Sequence, residues 1–226
     1  FKNKYWVILI LFNLITQITN SIAATSGTYY CKWIFGNDNL VALAGALGFF
    51  ATLVGFVVSK PIIAKLGVRK TIDFGVLGAA FTALIRCIIP TNFKVYIAVS
   101  VIGSFVQIPL MCLYGVLLAM VIDYNEYTYY NKMVGVSSGA IGIGTKIGSG
   151  VGSVILTACL ALGAYNPDLE VATTSMRYAI YAFSNYLPLI INLGLFVLFR
   201  FFDLEEKLPA IHEELARRRS QKSTEQ

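Results

Sequence analysis

Lys146 is the residue whose placement most plainly implies chemistry. It lies in an otherwise uncharged run from Met133 to Gly163. Thirteen residues separate it from the start of that run, or about 20 Å along a helix. An ammonium near a bilayer centre costs roughly 2.5–3.5 kcal/mol on insertion scales, and such residues usually face a water-filled cavity and carry function. A lysine can snorkel to the headgroups from a helix end, but not from mid-run. Around it, Gly144, Gly148 and Gly152 recur every four residues. That is a small-xxx-small ridge along which another helix can approach closely. Lys146 stands roughly 200° from the ridge. Its own face carries Gly139, Gly142, Ser149, Gly150 and Ser153, small and polar as a cavity lining would be.

Two further clusters carry charge. Lys65, Arg69 and Lys70 flank Gly67 in a short basic loop after Pro61, and Asp123, Tyr124 and Glu126 close an apolar run shortly before Lys132. Acids at a helix C-terminus oppose the macrodipole, so they imply partner cations. The loop cations are expected to pair with acids at neighbouring helix ends. No acid lies at mid-depth in any apolar run, although embedded cations normally pair. The partner of Lys146 is therefore expected to be water, solute or protein outside this sequence. The sequence opens on Phe1, directly before an apolar run. It reads as a fragment whose N-terminal part is missing. Cys31, Cys87, Cys112 and Cys159 are scattered without metal or disulfide spacing. His212 is the lone histidine and stands in a polar tail. An intramembrane enzyme needs convergent His, Asp or Cys groups, so an enzyme is not expected, nor is any cofactor.

The elements that position these residues are long apolar helices. The chain has 226 residues, 57% hydrophobic and 13% charged, where a soluble domain is about 25% charged. Six spans are expected, at about 5–29, 40–64, 71–89, 95–122, 133–163 and 176–202. Each is near the ~20 residues that cross ~30 Å of hydrocarbon. Residues 1–203 thus form an all-α six-helix transmembrane bundle, and 204–226 a polar tail. A short helix starting at Pro209 is expected there, and the tail as a whole is expected to be solvated. Net charge is +6, but the basic residues gather in one set of loops and in the tail. The positive-inside rule explains that pattern without nucleic acid. It places both termini in the cytoplasm and the chain in the lipid bilayer as a multi-pass protein. Pro109 in the fourth span, and Pro188 beside Asn185 and Asn192 in the sixth, suit bent, solute-lining helices. Arg86, near the outer end of the third, is expected to snorkel.

Asp123-Tyr124-Asn125-Glu126, then Lys132, then Lys146 in a glycine-rich helix, resembles the glycoside–pentoside–hexuronide:cation symporters of the major facilitator superfamily. The Pro61–Lys70 loop is similar to that superfamily's inner loop. The sequence departs from the pattern at Lys132, where arginine is common, and at Met120, where an acid is common. The resemblance implies that these helices form the C-terminal half of a twelve-helix fold in the cell membrane. It implies cation-coupled sugar symport by alternating access, with an N-terminal six-helix half of the same protein as partner. The coupling cation, Na⁺ or H⁺, would be bound mainly by that other half. It further implies that Lys146 stands near the solute and cation sites, and Ser149, Ser153 and Gly142, on the face read above as a cavity lining, are expected to line that cavity with it. The match at Asp123, Tyr124 and Glu126 implies residues of a cytoplasmic gate or charge network, and Lys132, Lys65, Arg69 and Lys70 are expected to join it as the partner cations. The alternatives are a major facilitator carrier of a non-sugar solute, lipid-like or an organic anion, and a non-transporting membrane scaffold.

Overall fold

The computed structural model describes residues 3–131 and 133–224. Lys132 lies outside the described residues. Helix α1, Lys4–Trp33, starts at Asn3, whose side-chain oxygen accepts the amide protons of Tyr5 and Trp6 at 2.9 and 3.3 Å. Helix α2 spans Leu40–Ile88 and α3 Phe93–Tyr129. Asn92 caps α3 from the amides of Lys94 and Val95, and Tyr130 ends it in the left-handed region at φ 56°. Helix α4 covers Val134–Leu162. Helix α5, Thr174–Tyr181, continues through a π turn, Ala182–Tyr186, into α6, Leu187–Arg200. Helix α7 covers Leu204–Thr224. No strand occurs among the described residues.

Five helices are long and apolar enough to cross a membrane, taking Thr174–Arg200 as one. The second and third expected spans fall together within α2. A straight helix of 49 residues would reach about 74 Å. Instead α2 breaks at Gly67, with φ 77° and ψ 176°, a region essentially reserved for glycine. Both arms then meet the same level of α3. A Cβ at Gly55 would lie 3.0 Å from Ile108, and one at Gly75 would lie 2.9 Å from Leu110. The arms therefore run side by side along α3, each brought close by a missing side chain.

Two apolar cores hold the bundle. One joins Tyr5, Leu9 and Phe12 of α1 to Leu113 and Leu117 of α3 and Phe199 of α6. The other joins Ile22, Tyr30 and Trp33 of α1 to Tyr96, Met176 and Phe183. Between them α1 presents Asn13, Thr16, Gln17 and Asn20. The cores thus sandwich a polar layer about two helical turns deep.

The tail differs from its expected state. It is a docked helix beginning at Leu204, and Pro209 lies inside it rather than at its start. Leu204, Ile211 and Leu215 recur at helical spacing and are 0%, 3% and 4% exposed. This stripe joins the first core beside Val121 and Phe202, which removes it from solvent.

Candidate functional site: a polar layer and a charged latch

Helix α4 packs on α1 through its glycine ridge. Gly144 faces Asn13 Oδ1, Gly148 faces the Leu14 carbonyl and Gly152 faces the Ile18 carbonyl. Lys146 stands on the exposed opposite side of α4. Its side chain makes no hydrogen bond or ion pair with the described residues. Gly142 is exposed, with open space where a Cβ would stand. Ser149 and Ser153 are placed differently from Lys146, at the edge of the seam. Ser149 Oγ donates to the Lys146 carbonyl at 3.0 Å. Ser21 Oγ of α1 donates to the Ser149 carbonyl at 3.0 Å and lies 3.1 Å from Ser153 Oγ. The two serines help lock α4 to α1.

The polar layer encloses two adjoining cavities. The first, of about 300 Å³, is lined by Asn13, Thr16, Gln17 and Asn20 of α1, with Tyr114 and Thr145 opposite. Thr145 Oγ1 donates to Asn13 Oδ1 at 3.2 Å. Thr16 Oγ1 is buried with no described partner. The second cavity, of about 360 Å³, takes Ser26 and Ser184 on one side and Arg86, Ser100 and Ser104 on another. Thr19, Gln107 and Asn192 line both. Unpaired polar atoms in such walls call for water or a polar solute. Of these residues only Asn192 and Arg86 drew attention in the sequence. The missed signal is periodic: Asn13, Gln17 and Asn20 recur at i, i+4 and i+7, one polar face of a helix that is otherwise apolar.

Arg86 does not snorkel. Its Nη2 donates to Ser100 Oγ at 2.7 Å, and its guanidinium lies 5.0 Å over the Tyr96 ring. Ser100 is seven residues into α3, about 10 Å along its axis. The cation is drawn into the bundle, away from the helix end.

A charged latch closes the end of the bundle where α1 begins. Asp123 Oδ2 lies 3.1 Å from His212 Nε2 of α7. Arg219 Nη2 donates to Glu126 at 2.8 Å, and Arg218 Nη1 donates to the Tyr127 carbonyl at 3.0 Å. Tyr124 meets the Tyr5 ring edge-on, with centroids 4.9 Å apart. Asp203 gathers Lys207 at 2.7 Å, the Tyr5 hydroxyl at 2.7 Å and Lys4 at 2.9 Å. These donors hold its carboxyl far below the usual range, Lys207 first, then Tyr5 and Lys4. In return Asp203, then Tyr5, raises the Lys207 ammonium. The bond from Arg218 lowers the Glu214 carboxyl.

The basic loop behaves differently from its expected pairing. Lys65 and Lys70 are exposed and Arg69 is half-buried, and their side chains make no ion pair with the described residues. The acid that reaches this loop, Glu205, is held by backbone. It accepts the amide protons of Val68 and Arg69, both at 2.8 Å. The turn at Gly67 exposes these amides at the head of the second arm, where an N-terminus favours an anion. Asp123, Tyr124 and Glu126 are therefore gathered under α7, whereas Lys65 and Lys70 stand apart from them.

The chain has relatives among known proteins. Residues 1–206 match the family model described as MFS/sugar transport protein. It is 19% identical over 220 residues to the putative glycoside/cation symporter YagG of Escherichia coli (strain K12), covering 96% of this chain and 48% of that protein. It is 23% identical over 206 residues to the uncharacterized symporter YnaJ of Bacillus subtilis (strain 168), covering 91% and 44%. The chain thus spans about half the length of the curated relatives it matches. The family consists of transporters rather than enzymes. Its model extends over the polar layer, the second core and all of the first core but Ile211 and Leu215, so the chain belongs to the MFS/sugar transport protein family.

Proposed function

We propose that this chain is the C-terminal half of a twelve-helix carrier that moves a glycoside or related sugar by cation symport. The two arms of α2 supply the second and third of its six spans. An N-terminal six-helix half of the same protein faces the α4 side that carries Lys146 and Gly142. It supplies most of the coupling-cation site, and rocking of the halves gives alternating access. Both termini are cytoplasmic in a plasma-membrane protein. The latch of Asp123, Tyr124 and Glu126 under α7 is the inner gate, a role that also extends to Lys132 and to Lys65, Arg69 and Lys70.

The observation that carries this reading is the polar layer between two apolar cores. A static bundle gains nothing from a solvent-sized polar space at that depth, whereas a sugar needs dense hydrogen-bonding groups on a largely apolar scaffold. The name of the Escherichia coli relative, a glycoside/cation symporter, supports the solute class. The test is Lys146→Ala in the full-length protein, assayed for sugar uptake driven by a cation gradient. Uptake is expected to fall about tenfold or more, by the worth of a charge-assisted contact. Unchanged uptake and coupling would remove Lys146 from the site.

A further inference from the structure

Helix α2 ends where its own backbone cannot complete the hydrogen bonding. The Arg86 carbonyl would take its helical bond from residue 90, but that residue is Pro90 and has no amide proton. The donor comes from another helix instead. Asn185 Nδ2 donates to the Arg86 carbonyl at 3.4 Å and to the Tyr30 hydroxyl at 3.1 Å. Tyr30 in turn donates to the Pro90 carbonyl at 2.7 Å. Its one proton is thus used, so it can only accept from Asn185, and this fixes which way the amide points. Asn185 Oδ1 is left buried with no described partner. A stranded buried acceptor is costly, so packing alone does not account for an asparagine here.

The π turn brings Asn185 to this point. Phe183, Ser184 and Asn185 are consecutive and all buried, whereas three consecutive residues of an α-helix sweep about 200° around its axis. Such distortions recur at functional sites. Phe183 and Ser184 line the second cavity, while Asn185, fully buried, stands behind its wall. On the cavity side, Arg86 Nη2 donates to Ser100 Oγ. Ser100 gives its own proton to the Tyr96 carbonyl at 2.6 Å, so it holds the guanidinium purely as an acceptor. Arg86 is therefore held twice, at its backbone by Asn185 and at its head by Ser100. A guanidinium carries five donors in a rigid fork. Ser100 engages one of them, and Nε has no described partner.

We propose that Asn185 is a positioning residue for solute recognition. It sets the end of α2 so that Arg86 presents its open donors to solute hydroxyls in the second cavity. The proposal rests on the reading of the polar layer as a solute site. It needs no charge on the solute, because a guanidinium also donates to neutral oxygens. Asn185 itself touches no solute and acts through Arg86.

The experiment uses the full-length protein in membrane vesicles, with labelled lactose as a neutral glycoside probe. Initial uptake is read against lactose concentration. Asn185→Leu removes the donor and the stranded acceptor together at similar size. It is expected to raise KM about 2- to 10-fold, the worth of a neutral hydrogen bond, with the maximal rate per carrier unchanged. A merely structural role would lower the amount of carrier and leave KM alone. Arg86→Gln is expected to raise KM about tenfold or more, since its bonds are charge-assisted. The double variant is expected to go no further than Arg86→Gln alone, because a residue that acts through another is not additive with it. An unchanged KM in Asn185→Leu, or effects that multiply in the double variant, overturns the proposal. Arg86 is also followed without uptake, as the rate of its modification by phenylglyoxal, read by mass spectrometry. That rate is expected to rise about 2- to 10-fold in Asn185→Leu. In the unmodified protein it is expected to fall as lactose is added, a contrast that needs no variant to fold. Lactose uptake without that protection overturns the proposal and leaves symport standing. Faster modification in Asn185→Leu with no lactose entry sinks the glycoside reading and leaves the brace on Arg86 standing.

Discussion

Gln107 lines both cavities, as Thr19 and Asn192 do. A neutral hydrogen bond is worth about 0.5–1.5 kcal/mol. Gln107→Ala is therefore expected to raise the KM for sugar uptake roughly 2- to 10-fold, with the protein still present in the membrane. Uptake kinetics on vesicles check this, and an unchanged KM would place the solute elsewhere. Asp203 makes a prediction in pH. Its donors depress its carboxyl below the ordinary value of about 3.9, so the folded form binds fewer protons than the unfolded one. The stability it contributes is complete above the ordinary carboxylate range and is lost as pH falls through the folded value. The unmodified protein is expected to unfold at a higher temperature than Asp203→Asn at pH 6, with the gap closing as pH falls toward 3. A gap that widens on acidification would contradict the assignment. At this scale the sequence was legible where charge stood against an apolar background. Lys146 and the Asp123–Glu126 pair were visible for that reason. Arg86 was misread because its position near a helix end fits either direction of its long side chain, and only Ser100 and Tyr96 decide between them. The polar face of α1 was present in the spacing of Asn13, Gln17 and Asn20, but uncharged amides stand out less than an ammonium.

Among the elements, the α1–α4 seam and the break in α2 are the places where a single atom matters. A Cβ on Gly148 would lie 2.6 Å from the Leu14 carbonyl, which is backbone and cannot swing away. Gly150, two residues on, has open space around it. Gly148→Ala is expected to lower the unfolding temperature by several degrees, as overpacking costs about 1–3 kcal/mol, whereas Gly150→Ala changes it little. Equal effects from the two would show that the ridge does not pack as described. At Gly67 the backbone lies where only glycine is comfortable, and an added Cβ would also sit 3.1 Å from Glu205 Oε1. Gly67→Ala is expected to cost about 1–3 kcal/mol, read as a lower denaturation midpoint; no change there would mean the turn is soft. Most helices were legible as apolar runs because a bilayer demands about 20 residues of them. The glycine ridge was legible because its period matches a helix face. Helix α7 was not, because its residues are mostly polar or charged and Leu204, Ile211 and Leu215 bury themselves only when the ends of α1 and α3 are near. The capping of the second arm by Glu205 was also hidden, since backbone amides leave no trace in side-chain types.

For the whole molecule, the proposed function makes the two cores, the polar layer and the latch one half of a carrier. The exposed side of α4, with Lys146 unpaired among the described residues, is the side on which the other half is expected to lie. The latch binds the start of α1, the Gly67 turn and the end of α3 under one helix, so these ends move together if the halves rock. Coupling of that motion to a cation gradient is the central claim, and accumulation against a concentration gradient tests it most directly. The full-length protein, reconstituted in liposomes, is given an inward Na⁺ or proton gradient and labelled sugar, neutral and acidic in separate runs. The expected result is sugar inside above its outside concentration with one of the two cations, collapsing when that gradient is dissipated. Entry that stops at equal concentrations whatever the gradient, or no entry of either sugar, would contradict cation-coupled sugar symport.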